Sequence, residues 1–277
     1  MMNSAVVGHK DILVIFVMGF LCFFGKKFDS RNLFFLIIFF LFFLTLSHSG
    51  FLFYTPYLLF LYLLLKIKMK SKLQIVEIAV IIISLILITI LITLNQGTEN
   101  QVKVICESVK IFVSENCGKV GQTYWLTNNY KDYLSAKTDL GINYINYLTI
   151  YLISLILVYF FIIIKCIKSN FNIKYFFLNK INPLIVFLFL FLFTLQTYAF
   201  GLDWGRYIFI SYSCSFFIYI YCIKTNLISN NFDLKLGKFT FISLVIFYSF
   251  MLTFPFYNAE NFKLTLKKPV LSLMKKF

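Results

Sequence analysis

Between Ile75 and Leu94 the chain reads IVEIAVIIISLILITILITL, with Glu77 as its one charge. A helix of that length spans about 30 Å, the hydrocarbon thickness of a bilayer. Barrel strands would alternate apolar and polar residues, whereas this run is uniformly apolar. The rest of the chain agrees: 60% of its 277 residues are hydrophobic and 13% charged. A soluble domain carries about 25% charged residues, so this chain has too little polar surface to clothe a water-soluble core. Disorder, collagen, a disulfide-rich mini-protein and an ordinary cytosolic enzyme are excluded on the same ground. The expected fold is all-α, a polytopic transmembrane helix bundle.

Eight candidate spans follow from the apolar runs: Asp11–Gly25, Asn32–Ser47, Gly50–Leu65, Leu73–Leu94, Tyr144–Ile164, Pro183–Phe200, Tyr207–Ile223 and Phe239–Tyr257. They are expected to form one integral membrane domain over residues 1–277, with 95–143 as a long extracytoplasmic loop within it. The second and third runs are short and share the elbow Ser47-His48-Ser49-Gly50, which allows a re-entrant hairpin in place of two crossings. The first run lacks a basic leader and an A-x-A-like site, so no cleavable signal peptide is expected.

The charge of +15 would suggest nucleic acid in a soluble protein. Here the lysines gather in clusters between the apolar runs and none is read as lying inside one, so no nucleic-acid partner is expected. One set of connections holds Lys26, Lys27 and Arg31, then Lys66, Lys68, Lys70 and Lys72, then Lys165, Lys168, Lys174 and Lys180, then Lys224, Lys235 and Lys238. The alternate short connections hold only Arg206, and loop 95–143 balances five lysines against five acids. The basic set marks the cytoplasmic face. Both termini then lie outside, although Lys263, Lys267, Lys268, Lys275 and Lys276 give the tail a basic character that favours the inside.

Motifs for nucleotide, zinc and hydrolase chemistry are missing from the sequence. With His9 and His48 the only histidines, no metal site is expected. Cys22, Cys166, Cys214 and Cys222 read as small apolar residues. Cys106 and Cys117 share the long loop, where they could pair or remain free. Glu77 sits about a turn from Lys72 and reads as structural, reaching headgroups or a lysine. The 37 Phe and 18 Tyr could form a binding stripe, but Phe, Ile, Lys, Asn and Tyr share AT-rich codons, and gene composition is the simpler reading.

Polar chemistry collects on the outer side. Spans two and three meet at His48, and spans six and seven meet at Gly201-Leu202-Asp203-Trp204-Gly205-Arg206. The long loop adds Tyr124, Trp125, Tyr130, Lys131, Asp132 and Tyr133. Asp203 and Arg206 are three apart, which on a helix places them on one face; in a tight turn Gly205 would let them meet. Two readings stand. One is an ion pair at a helix junction with Trp204 as interfacial anchor. The other is a site in which Arg206 grips a phosphate or carboxylate and Asp203 orients it or acts as a base. His48 is equally an acid–base group near neutral pH or a helix-end histidine among headgroups, with Ser47 and Ser49 as turn and capping residues.

The stretch HSGFLFYTP (His48–Pro56), followed by GLDWGRYIFI (Gly201–Ile210), resembles bacterial inner-membrane proteins of O-antigen and capsule clusters. That group is generally regarded as O-antigen or capsular polysaccharide polymerases and their relatives. Asp203, Trp204, Gly205, Arg206 and Tyr207 match its second motif, and His48 and Pro56 the first; Ser49 stands where an acid often follows the histidine. The resemblance implies an enzyme of glycosyl transfer that joins undecaprenyl-pyrophosphate-linked oligosaccharides at the periplasmic face, within lipopolysaccharide biosynthesis. It implies Asp203, Arg206 and His48 as catalytic residues, and Trp204, Tyr207 and Trp125 as substrate-binding ones. Its partners would be the lipid bilayer, the lipid-linked saccharide and a chain-length regulator protein, with no cofactor or metal. The family usually shows more spans, so an N-terminal part is expected beyond this chain. The alternatives are a glycosyltransferase using a polyprenyl-phosphate sugar, a carrier of lipid-linked saccharide, and a membrane protein without chemistry.

Overall fold

The computed structural model describes residues 11–71, 74–94, 98–109, 144–167, 169–173, 181–200 and 204–228. Their helices are α1 (Asp11–Phe24), α2 (Ser30–Ser47), α3 (Thr55–Lys68), α4 (Ile75–Leu94), α5 (Glu99–Val109), α6 (Tyr144–Cys166), α7 (Pro183–Phe200) and α8 (Trp204–Lys224). Short 3-10 segments, Gly25–Lys27 and Ser49–Tyr54, precede α2 and α3. Among the described residues four segments are long and apolar enough to cross a membrane: Ser30–Ser47, Ser49–Lys68, Ile75–Ile92 and Tyr207–Lys224. The chain is a multi-pass, all-α membrane protein. Both legs of the elbow hairpin have the length of a full crossing, because each runs beyond its apolar core, back to Ser30 and on to Lys68. The predicted span Phe239–Tyr257 lies outside the described residues.

The contacts divide the chain into two compact units, one running from Phe24 to Gly141 with the first residues of the chain, the other joining Val14–Phe23 of α1 to the chain from Ile142. In the first unit α2 packs against both α3 and α4, and on α3 Tyr57, Leu58, Leu61, Tyr62, Leu64 and Leu65 are all buried. α2 and α4 each bury one stripe. On α2 this stripe is Leu33, Ile37, Phe40, Leu41 and Leu44; on α4 it is Glu77, Ile81, Ser84 and Ile88. Both have the i, i+4, i+7 spacing of one helix face. The opposite faces, with Phe35, Phe39 and Phe43 on α2 and Ile82, Ile83, Ile86 and Ile90 on α4, are exposed and apolar, as a lipid-facing surface must be. Asp29 starts α2 by accepting from the Asn32 amide at 3.2 Å.

In the second unit α8 is central. Ile208, Ile210, Ser211, Ser213, Cys214, Ser215, Ile218, Tyr219, Tyr221 and Cys222 are buried, and the small Ser and Cys side chains let neighbouring backbones approach. Against it α7 sets Phe187, Leu190, Thr194 and Thr197, and α6 sets Tyr159, Ile162 and Cys166. Cys22, Cys166, Cys214 and Cys222 are all free thiols. Connections after α6 and α8 meet in an antiparallel bridge, Phe171 with Ile228, and the Asn172 amide donates to the Leu227 carbonyl at 2.8 Å. Two Lys-bearing connections are thus joined at one end of this unit.

Candidate functional site

The elbow between α2 and α3 is built around His48. Its backbone is extended, with φ −159° and ψ 119°, and ends α2 while its amide still donates to the Leu44 carbonyl. That leaves the imidazole free to turn forward. Nδ1 accepts from the Gly50 amide at 3.0 Å, capping the 3-10 segment. The ring lies 5.1 Å from the Phe51 ring, Phe51 is buried, and His48 itself is exposed. A Cβ at position 50 would sit 3.0 Å from both Cε1 and Nδ1 of the imidazole, so glycine gives the amide its room beneath the ring. With the Nδ1 lone pair engaged, the neutral ring carries its proton on Nε2. In that tautomer the ring offers Nε2–H as a hydrogen-bond donor.

Of the second elbow, the described residues begin at Trp204. α8 begins at Trp204, so Gly205 and Arg206 stand on its first turn. Tyr207 is half-buried, its ring edge-on to Tyr198 at 5.5 Å. It opens an aromatic series that continues from Tyr198 to Phe191 at 6.0 Å and from Phe191 to Tyr159 at 6.0 Å. Hydroxyls run beside the rings: Ser211 donates to Thr194 Oγ1 at 3.3 Å, and Tyr159 lies 3.3 Å from Ser215. His48 belongs to the first unit and Tyr207 to the second. Asp203, Trp125 and Cys117 lie outside the described residues.

A buried polar group that the sequence reading missed lies at the other end of α2 and α3. Lys66 was taken for the first residue of a loop, but α3 runs on to Lys68 and the Lys66 side chain is 2% exposed. Its ammonium meets Glu77 Oε1 at 2.6 Å, donates to Ser30 Oγ and lies 5.6 Å from the Tyr62 ring. Ser30 and Ser71 hydroxyls are 2.9 Å apart. Glu77 Oε2 also accepts from the Gln74 amide at 3.2 Å, the reach-back contact of a capped helix start. Glu77 is structural, as its sequence position suggested, but its lysine is Lys66 of the preceding helix. One carboxylate thus starts α4 and pairs with the cation in the last turn of α3. Among the described residues no three His, Cys, Asp or Glu side chains gather as a metal site would require.

No family model matches the chain, and no curated protein or solved structure matches it.

Proposed function

We propose that the chain is a polymerase of lipid-linked oligosaccharide repeat units, of the O-antigen or capsule type, set in a bacterial inner membrane and working at its periplasmic face. The observation that carries this reading is the His48–Gly50 turn: an exposed imidazole held by a dedicated backbone contact. It stands at the end of α2 remote from Ser30 and Lys66, roughly 27 Å away along a helix of 18 residues. The basic connections take the cytoplasmic side, which leaves His48 and loop 95–143 periplasmic.

In the reaction an acceptor hydroxyl attacks the anomeric carbon of the donor sugar. The bond from that carbon to the pyrophosphate oxygen breaks, and the lipid pyrophosphate leaves with the electron pair. Arg206 answers the charge on the leaving group through a bidentate contact. Asp203 takes the hydroxyl proton. His48 acts as a donor through Nε2, toward the pyrophosphate or a sugar hydroxyl. Trp204, Tyr207 and Trp125 offer ring faces or edges to the saccharide, the polyprenyl chain lies along the apolar helix faces, and a chain-length regulator protein is the expected protein partner.

Arg206→Ala should abolish long polysaccharide while single capped units persist and the protein inserts at normal levels. Loss of one charge-stabilising donor lowers such a rate by about 10²–10³-fold. Gly50→Ala should push the imidazole off its amide and shorten the chains without changing insertion. Ladders of normal length in Arg206→Ala would end the proposal.

A further inference from the structure

We propose that the turn between α1 and α2 is a binding surface for an anionic phospholipid of the phosphatidylglycerol class. Its phosphate diester is held by Lys27 and Arg31, and an acyl chain lies along the aromatic side of α2. The turn sets two cations on two rings. Lys27 Nζ lies 5.1 Å from the centre of the Phe24 ring, and Arg31 Cζ lies 5.8 Å from that of Phe35. Both rings are exposed, Phe24 at 44% and Phe35 at 55%, and so are both cations. The second contact follows from helix geometry. Residues four apart share a face, and side chains lean toward the helix N-terminus, so Phe35 brings its ring under Arg31.

The Phe35 ring belongs to a surface that faces lipid. Phe35, Phe39 and Phe43 recur at i, i+4 and i+8 on an exposed side of α2, the Phe39 and Phe43 rings stack at 5.9 Å, and α2 is long and apolar enough to cross a membrane. The cations therefore rest where that apolar surface ends, at the depth of the phospholipid phosphates. A ring answers their charge but supplies no acceptor oxygen. The donors of Arg31 fit two oxygens of one phosphate, and Lys27 adds a point charge. The nearby acid, Asp29, is taken up in capping α2, and three cations, Lys26, Lys27 and Arg31, stand around it. A zwitterionic headgroup brings its own cation into that field, whereas an anionic one does not. Lys66 has no part in this surface, since its ammonium is buried against Glu77.

The inference needs α2 to cross the membrane and is independent of the polymerase reading. Native mass spectrometry of the full chain, released from micelles holding equal amounts of phosphatidylglycerol and phosphatidylcholine, tests it. The parent should retain phosphatidylglycerol in preference. Lys27→Gln and Arg31→Gln should each lower that retention about fivefold. Both side chains are exposed, so neither change disturbs the packed core. Phe35→Leu keeps both charges and an apolar surface, and should lower retention about two- to fivefold by removing the ring beneath Arg31. Lys103→Gln removes one exposed charge from α5, beyond the far end of α4, and should leave retention as in the parent. Equal retention of the two lipids by the parent, unchanged retention in Arg31→Gln, or an equal loss in Lys103→Gln would overturn the proposal.

Discussion

The ends of α3 and α8 share one backbone device and then part ways. Each helix closes on a residue with positive φ, Lys70 at 54° and Asn226 at 55°. Each is followed by the six-to-one bond of a helix stop, Ser71 amide to Lys66 carbonyl at 3.0 Å and Leu227 amide to Cys222 carbonyl at 2.9 Å. Beyond α8 a second connection lies alongside, and its backbone pairs with Leu227 and Ile228. Beyond α3 only a short link leads to α4, and the join is made instead by side chains: Lys66, Glu77, Ser30 and Ser71. Buried polar groups must find partners in either case. The difference teaches that, among the described residues, one helix end is tied by backbone pairing and the other by charge.

The largest way to break the comparison is to remove one side of that charge. Lys66→Met leaves the Glu77 carboxylate buried without its cation and should destabilise the first unit by about 3–5 kcal/mol. Lys66→Met with Glu77→Leu should recover most of the loss, since an apolar pair of similar volume is often as stable. Unfolding in mixed detergent micelles would measure both. A single variant within about 1 kcal/mol of the parent would show that the pair is solvated and that the two helix ends do not differ in kind.

Close packing gives a smaller test. A Cβ at Gly25 would lie 2.8 and 2.9 Å from the Leu65 methyls, and Leu65 is fully buried beside Lys66. Gly25→Ala should therefore cost about 1–3 kcal/mol through overpacking. At Gly19, packed in the second unit, the nearest atoms are the Phe217 ring carbons at 3.4 Å, ordinary contact, and Gly19→Ala should be nearly neutral. Equal effects would mean that the end of α3 is no tighter than the helix packing around α8.

Much of this organisation is legible in the residues. Helix positions follow from apolar runs, which a bilayer makes decisive because backbone polar groups must be satisfied within the segment. The bounds of α7 match the reading from Pro183 to Phe200, since Pro183 is suited to a first helical turn. α5 was hidden in the long loop, although Thr98-x-x-Gln101 and the stripe from Val102 to Val109 are its signature; a scan for spans passes over a helix this short and polar. Lys66 was misplaced because lysine reads as loop, whereas α3 extends to Lys68, about a turn past Leu65 where the predicted span ends, and Glu77 lies eleven positions on. Nothing local in sequence pairs those two residues. The His48 elbow was visible, but the engagement of Nδ1 by the Gly50 amide was not. That contact depends on the extended backbone at His48.

The smallest prediction returns to the two positive-φ residues. A side chain in the left-handed region costs about 1–2 kcal/mol for most residues, and asparagine tolerates it better. Glycine removes that strain but makes the unfolded chain freer by about 0.4–1 kcal/mol. At Lys70 the strain term is the larger, so Lys70→Gly should stabilise the protein by about 0.5–1 kcal/mol. At Asn226 the two terms nearly cancel, and Asn226→Gly should change stability little. Both can be read as shifts in thermal midpoint in one detergent. If Asn226→Gly stabilised as much as Lys70→Gly, the bridge between Phe171 and Ile228 would be holding Asn226 in a strained turn, and backbone pairing at that end would carry a cost that charge at the other end avoids.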